Sequence, residues 1–427
     1  MQTANSDNGH CMVSFGGKES AAVSCRGNSP ENEDPSVFQI LIRKVRSAGI
    51  RWRQYRDRRI WHANQQQKLR LAKDWLHRFA TSDAEVLIGA NFVELGGCRQ
   101  HMHSLAEFSA LKTSLVPEQK TVDQLSPFDL TPVYQQFLNT PPPATIKAVH
   151  SHVFPWFGKW CTQQKDRIPV WVHTHHNWYY KEFGGGEEVP WHNEFNQYFR
   201  DALLQCDVPL VVSRGQQKFL KEEQGIHANY LPNGVDLSLC LRGNADAFRR
   251  STDLQQPFVL WVGRNDPVKN PVEIIHLAQR MPKTKFCLIG PGLSAETLLS
   301  DYQIAAPDNV VFTGGVPQAT VQDAIAACSA LVVTSLREGF PTLVLEGLAH
   351  QKPIVVPTEA GCEEALGGPE FGWVYQLGNV DSLLEKTQAA LNGPPLNPRS
   401  LERVRDEFDW KVIMRKLDRI YRGEEVF

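Results

Sequence analysis

Residues 330–357, ALVVTSLREGFPTLVLEGLAHQKPIVVP, read as a buried strand, a polar loop, a short helix and a second buried strand. Leu331, Val332 and Val333 are apolar without alternation, the pattern of a parallel strand covered on both faces. Ser335 to Gly339 interrupt the run, and Pro341 falls where a first-turn proline sacrifices no hydrogen bond. The spacing predicts a helix through Leu343, Val344, Leu345 and Leu348 that stops near His350. Its first amides, around Thr342 and Leu343, would leave the carboxyl edge of a sheet with partial positive charge, which suits an anion. Glu338 and Glu346 bracket the turn. Taken alone, they are either ordinary acids near a helix start or acceptors for paired hydroxyls of a polyol whose phosphates sit there.

The same alternation extends across the second half. Strands are predicted at Phe258–Val262, Lys285–Ile289, Val310–Thr313, Leu331–Val333, Ile354–Val356 and Trp373–Tyr375, with helices near 271–280, 295–301, 317–328, 341–350, 362–367 and 380–391. That pattern calls for a parallel, doubly wound sheet with helices on both faces. Ligands of such sheets bind beyond the carboxyl ends of the strands, and the unusual residues collect there. Gly263, Arg264 and Lys269 follow Val262, and Gly290-Pro291-Gly292 follows Ile289. Ser335, Glu338 and Pro341 follow Val333. Two cations, close-approach glycines, a helix amino end and two carboxylates match a sugar diphosphate. The alternative for Arg264 and Lys269 is plain surface charge.

The first half is less regular. Val86, Leu87 and Ile88 form its first predicted strand, followed by Gly96-Gly97 and a helix from Cys98 to about Ser109. A glycine pair there lets the backbone approach a ligand or simply makes a tight turn. Residues 109–145 show no assignable strand; strands recur at Ile146–Val149, Pro169–Val172 and Val208–Val212. His173, His175 and His176 follow one of these. With no HExxH and no paired acid beside them, polar contact or packing outranks metal, and no metal ligand is assigned. Gly184-Gly185-Gly186 is a lid or an inert loop. Leu231–Asp236 reads as a turn, after which the domain boundary is placed.

A chain of 427 residues has room for two or three cores. Its net charge of -2 gives no global attraction to nucleic acid, and none is expected as a partner. No apolar run reaches membrane-spanning length, and the first residues lack a secretory core. Nine scattered cysteines without CxxC point to reduced thiols in the cytoplasm. The expected organisation is a disordered segment (1–36), a basic helical extension (37–82), two α/β domains (83–237 and 238–398) and a C-terminal helix (399–427) returning toward the first. Between Phe38 and Phe79, arginines and lysines interleave with Trp52, Tyr55, Trp61 and Trp75 against only Asp57 and Asp74. Such helices either pack on the main body or touch an anionic membrane peripherally through residues 38–80.

Gly263-Arg264 through Lys269, Glu338-Gly339-Phe340-Pro341 through Glu346, Pro232-Asn233-Gly234-Val235-Asp236, and Gly96-Gly97 with His101 and Leu105-Ala106 resemble the retaining glycosyltransferases of family 4. The resemblance covers about 85–421. It implies the GT-B fold, two Rossmann-like domains facing a cleft. It also implies a UDP- or GDP-sugar donor, an acceptor hydroxyl on a glycan, lipid-linked or small molecule, and no metal or other cofactor for donor binding. Carried over, Glu338 and His173 lie by the donor sugar, and Glu346 holds the ribose. Arg264 and Lys269 neutralise the diphosphate. Gly96, Gly97, Gly263, Gly290, Gly292 and the stretch Phe340, Pro341, Thr342 and Leu343 line the donor. Other readings are a nucleotide-sugar epimerase and a non-catalytic sugar-nucleotide-binding or membrane scaffold protein.

Overall fold

The computed structural model describes residues 63–89, 97–179, 190–252, 254–394 and 397–424. The segment 1–36, most of the basic extension, Gly96 and the 184–186 triplet lie outside the described residues. From Gln65 onward the chain belongs to one compact unit. It is built on two six-stranded sheets whose described pairings are all parallel.

The first sheet contains β1 (Val86–Gly89), β2 (Thr113–Val116), β3 (Ala148–Ser151), β4 (Trp171–His175), β5 (Val208–Val211) and β6 (Asn229–Tyr230), in spatial order 2-1-3-4-5-6. The second contains β7 (Phe258–Val262), β8 (Lys285–Ile289), β9 (Val310–Gly314), β10 (Ala330–Val332), β11 (Ile354–Pro357) and β12 (Trp373–Tyr375), in order 9-8-7-10-11-12. The connections reverse between β1 and β3 in one sheet and between β7 and β10 in the other. A crevice opens at such switch points, beyond the carboxyl ends of the strands.

The second sheet follows its sequence pattern within a residue or so. β7, β8, β10 and β11 are almost wholly buried, as their unbroken apolar runs require. The first sheet departs more. β2 lies in the stretch that shows no apolar run: it is an edge strand, mostly half-buried, and carries Thr113 and Ser114. β3 and β4 sit two residues later than expected because they bury His150, Ser151, His173 and His175, which no hydropathy pattern marks as strand core.

Helical residues 65–80 lay Ala72, Trp75, Leu76 and Phe79 into the first domain's core against Phe137 and Trp160. Two of their cations meet acids of that domain: Lys68 and Asp129 at 3.0 Å, Arg78 and Glu118 at 2.5 Å. This part of the basic extension therefore packs on the body. The tail is not one helix. Arg399–Arg403 and a π-type turn at Val404–Phe408 precede Asp409, which is extended and bridges Val235, and a second helix runs from Trp410 to Tyr421. Trp410, Ile413, Met414, Leu417 and Tyr421 of that last helix share a core with Val86 and Ile88 of the first sheet and Met102 of the helix Gly97–Phe108.

Candidate functional site

The carboxyl ends of both sheets border a cleft of about 460 Å³. From the second sheet come Gly263, Arg264, Lys269, Glu338, Phe340, Pro341, Thr342, Leu343 and Glu346; from the first come Gly97, Cys98, His176, Asn177 and Tyr179. Ten of the fourteen residues singled out from sequence thus meet in one place.

Local structure explains how they are held. Trp261 Nε1 donates to Thr334 Oγ1 at 2.8 Å, and that hydroxyl lies 2.9 Å from the carbonyls of both Lys269 and Asn270. The ends of β7 and β10 are thereby tied together beside Lys269. Asp266 caps the short turn Pro267–Lys269 by accepting from the Val268 amide, and the Leu336 amide donates to the Val268 carbonyl. The two loops behave as one wall. Lys269 Nζ lies 2.5 Å from Glu338 Oε1, and Arg264 pairs with Asp266 at 3.1 Å. Lys269 and Glu338, given separate ligand groups by the resemblance, hold each other here.

The helix Thr342–Ala349 starts on the cleft with Pro341 at its cap, one position before the expected first turn. Its early amides have no earlier helical carbonyl to reach, so they offer positive partial charge to an anion in the cleft. Glu346 lies on the buried side of this helix and accepts from Gln318 Nε2 at 3.0 Å. Burial pushes its carboxyl up to about 7, against which hydrogen bonds from Gln322 and Gln318 work. A group poised there accepts strongly from hydroxyls once ionised. Across the cleft, burial raises the Cys98 thiol to about 11, while Arg264 and Lys269 pull it back.

Among the described residues, three expected ones do not line this cleft. Gly96 is outside the described residues. Gly290 and Gly292 lie away from the lining; a Cβ on Gly290 would stand 1.7 Å from the Gly263 carbonyl oxygen, so glycine there serves the contact between two loops. The His173 side chain is also absent from the lining. It is fully buried, its Nδ1 lies 2.8 Å from Ser151 Oγ, and its ring meets Tyr198 and Phe199. Strand alternation turns His173 and His175 to the Phe199 side, and the chain reaches the rim only at His176. A Cβ on Gly339 would be 2.3 Å from the His176 carbonyl oxygen, so the two domains touch at that point.

Sequence reasoning quoted His101 and Asn233 only as parts of motifs. Asn233 Nδ2 donates to the Phe340 carbonyl at 3.0 Å and Asn233 Oδ1 meets His101 Nδ1 at 2.9 Å, stitching the domains together under the cleft. Gln318 was not flagged at all: an amide on a helix carries no signal until its partner, Glu346, is placed beside it.

Comparison with known proteins agrees with this geometry. The profile "Glycosyl transferases group 1" matches residues 244–406, and "Glycosyltransferase Family 4" matches 125–239. A Bacillus subtilis protein named as a teichuronic acid biosynthesis glycosyltransferase, TuaC, is 30% identical over 177 residues, 40% of this chain and 43% of its own length. The chain therefore aligns with less than half of that relative. Sucrose-phosphate synthase from Thermosynechococcus elongatus superposes with a TM-score of 0.65 at 18% identity, covering 79% of this chain and 98% of that one. Anabaena HepE, solved with UDP and glucose, superposes at 0.61 with 16% identity, over 80% and 100%. At such identities the superpositions establish the fold.

Proposed function

Because the chain belongs to the family 4 glycosyltransferases of GT-B fold, we propose that it moves a sugar from a nucleoside diphosphate sugar to an acceptor hydroxyl with retention of anomeric configuration. One observation carries this reading: Arg264, Lys269, the start of the helix at Thr342 and the carboxylates Glu338 and Glu346 share a single interdomain cleft. In the proposed reaction the bond between the anomeric carbon and the diphosphate oxygen breaks. Arg264, Lys269 and the helix amides stand where the leaving group's negative charge grows, so they favour the transition state over the ground state. Glu346 accepts the ribose hydroxyls.

The acids among the described cleft residues are Glu338 and Glu346. Glu338 is held by Lys269, and Glu346 is buried beneath Gln318. Neither is presented as a covalent nucleophile, which supports attack from the face of the departing diphosphate. The new glycosidic bond forms on that face while a diphosphate oxygen takes the acceptor's proton. Closure of the cleft excludes water that would hydrolyse the donor. Among the described residues, no helix is long and apolar enough to cross a membrane. Membrane contact is proposed only for the basic stretch 38–62, tested by salt-sensitive co-sedimentation with anionic vesicles.

Nucleoside diphosphate release from UDP- and GDP-sugars, measured with and without a panel of acceptors, tests the central reading. Acceptor-dependent release supports transfer. Isomerised free donor would instead establish an epimerase, and binding without turnover a scaffold. A thermal-shift panel of nucleoside diphosphates identifies the base, since a ligand of the folded state alone raises apparent stability.

A further inference from the structure

Three histidines from separate elements meet at the inner end of the cleft. His101 comes from the helix Gly97–Phe108, His152 from just beyond β3, and His176 from just beyond β4. All three are buried, and one ring nitrogen of each lies within 4.8 Å of the others. The nearest neighbour, His150, cannot join them: its nitrogens are taken by Tyr421 Oη and Thr174 Oγ1, each at 2.7 Å.

The hydrogen bonds decide where the lone pairs point. Asn233 Nδ2 donates to the Phe340 carbonyl, which fixes the amide and leaves Oδ1 to accept from His101 Nδ1. His101 therefore carries its proton on Nδ1, and its Nε2 turns a bare lone pair inward. That Nε2 is buried without a partner. His152 Nδ1 and His176 Nε2 stand 3.2 Å apart, near the edge of about 3.3 Å for a tetrahedron with Zn–N bonds of about 2.0–2.1 Å.

We propose that His101, His152 and His176 form a three-histidine site for a divalent transition metal, with Zn²⁺ as the probe. Imidazole nitrogens without a carboxylate favour zinc, copper or nickel over magnesium or calcium. A ligating histidine typically donates its other N–H to an oxygen, as His101 does to Asn233. His176 lines the main cleft and His101 the adjoining hollow beside Glu346, which provides an entry path. Drawing the nitrogens from the 4.8 Å limit to a tetrahedral edge takes ring movements of about an ångström. The site does not depend on the transfer reading, because metal stoichiometry is measured without substrate.

The full-length chain, stripped with a chelator, is titrated with Zn²⁺ and with Co²⁺, and bound metal is counted after gel filtration. One equivalent of zinc and the visible absorption of tetrahedral Co²⁺ are expected, both lost in His101→Gln and His152→Gln. Asn233→Ala leaves every ligand in place and should weaken zinc about 10–100-fold, which keeps the test decisive if a histidine variant misfolds. A folded wild-type chain that retains no zinc would overturn the proposal, leaving the histidines as a packed polar network. So would zinc that survives in the histidine variants with Co²⁺–thiolate absorption, which would place the metal on cysteines.

Discussion

The two sheets share a plan and differ at their rims. Each has six strands, parallel wherever their pairing is described, with a switch point near the cleft. The second sheet's rim is charged: Arg264 and Lys269 follow β7, and Glu338 and Glu346 follow β10. The first sheet's rim carries neutral histidines, His150, His152 and His176, held far below the ordinary imidazole range by burial. One topology thus supports two chemistries. Fixed charges on loops that are tied together suit an anion such as a diphosphate, whereas neutral imidazoles offer lone pairs to a hydrogen-bond donor or a metal.

The largest test of that contrast is Lys269→Met. If the charged rim stabilises the leaving group, kcat should fall about 10²–10³-fold, roughly 2.7–4 kcal/mol of barrier, in steady-state assays. The single change also strands Glu338, so Lys269→Met/Glu338→Gln should recover melting temperature without recovering rate. Equal recovery of both would make the pair structural and erase the distinction between the rims.

Glu346 sharpens the contrast through pH. The folded protein holds this proton more tightly than the unfolded chain, since the carboxyl rises from 4.5 to about 7. The associated stability is whole below pH 4.5, declines between 4.5 and about 7, and is level above. At about 1.4 kcal/mol per pKa unit, the decline is at most about 3 kcal/mol. Glu346→Gln should flatten that part of a denaturation-versus-pH series. Ribose binding to the carboxylate should release a proton, so nucleotide affinity rises as pH climbs toward 7, measurable by calorimetry in buffers of different ionisation enthalpy.

Gly339 probes where the rims meet. Alanine there would press on the His176 carbonyl, and overpacking of this kind costs about 1–3 kcal/mol. The expected result is a lower melting temperature together with reduced kcat/KM. The smallest effect belongs to Gly215→Ala, whose Cβ would meet only Ala360 at 3.8 Å and should change stability by less than about 0.5 kcal/mol. Similar losses at both positions would show that the interdomain contact is not specific.

The charged rim was legible in sequence because its residues follow apolar strands directly and bring their own signals: glycine, proline and unpaired charge at strand ends. The neutral rim was not. β2 hid among polar residues at a sheet edge, and the buried histidines of β3 and β4 shifted the apparent strands, so His176 was not singled out as a residue of the cleft lining. Gln318 and Asn233 had no pattern of their own to announce them.

By itself, the order of residues determined the doubly wound second half and the charges at its strand ends, since hydrophobic period and strand-end chemistry are local properties. Only the folded chain decided that Lys269 would clasp Glu338, that Glu346 would be buried under Gln318, and that His101, His152 and His176 would converge from three elements. Those contacts join positions up to 75 residues apart, and their hydrogen bonds and desolvation exist only once each sheet and its helices have assembled.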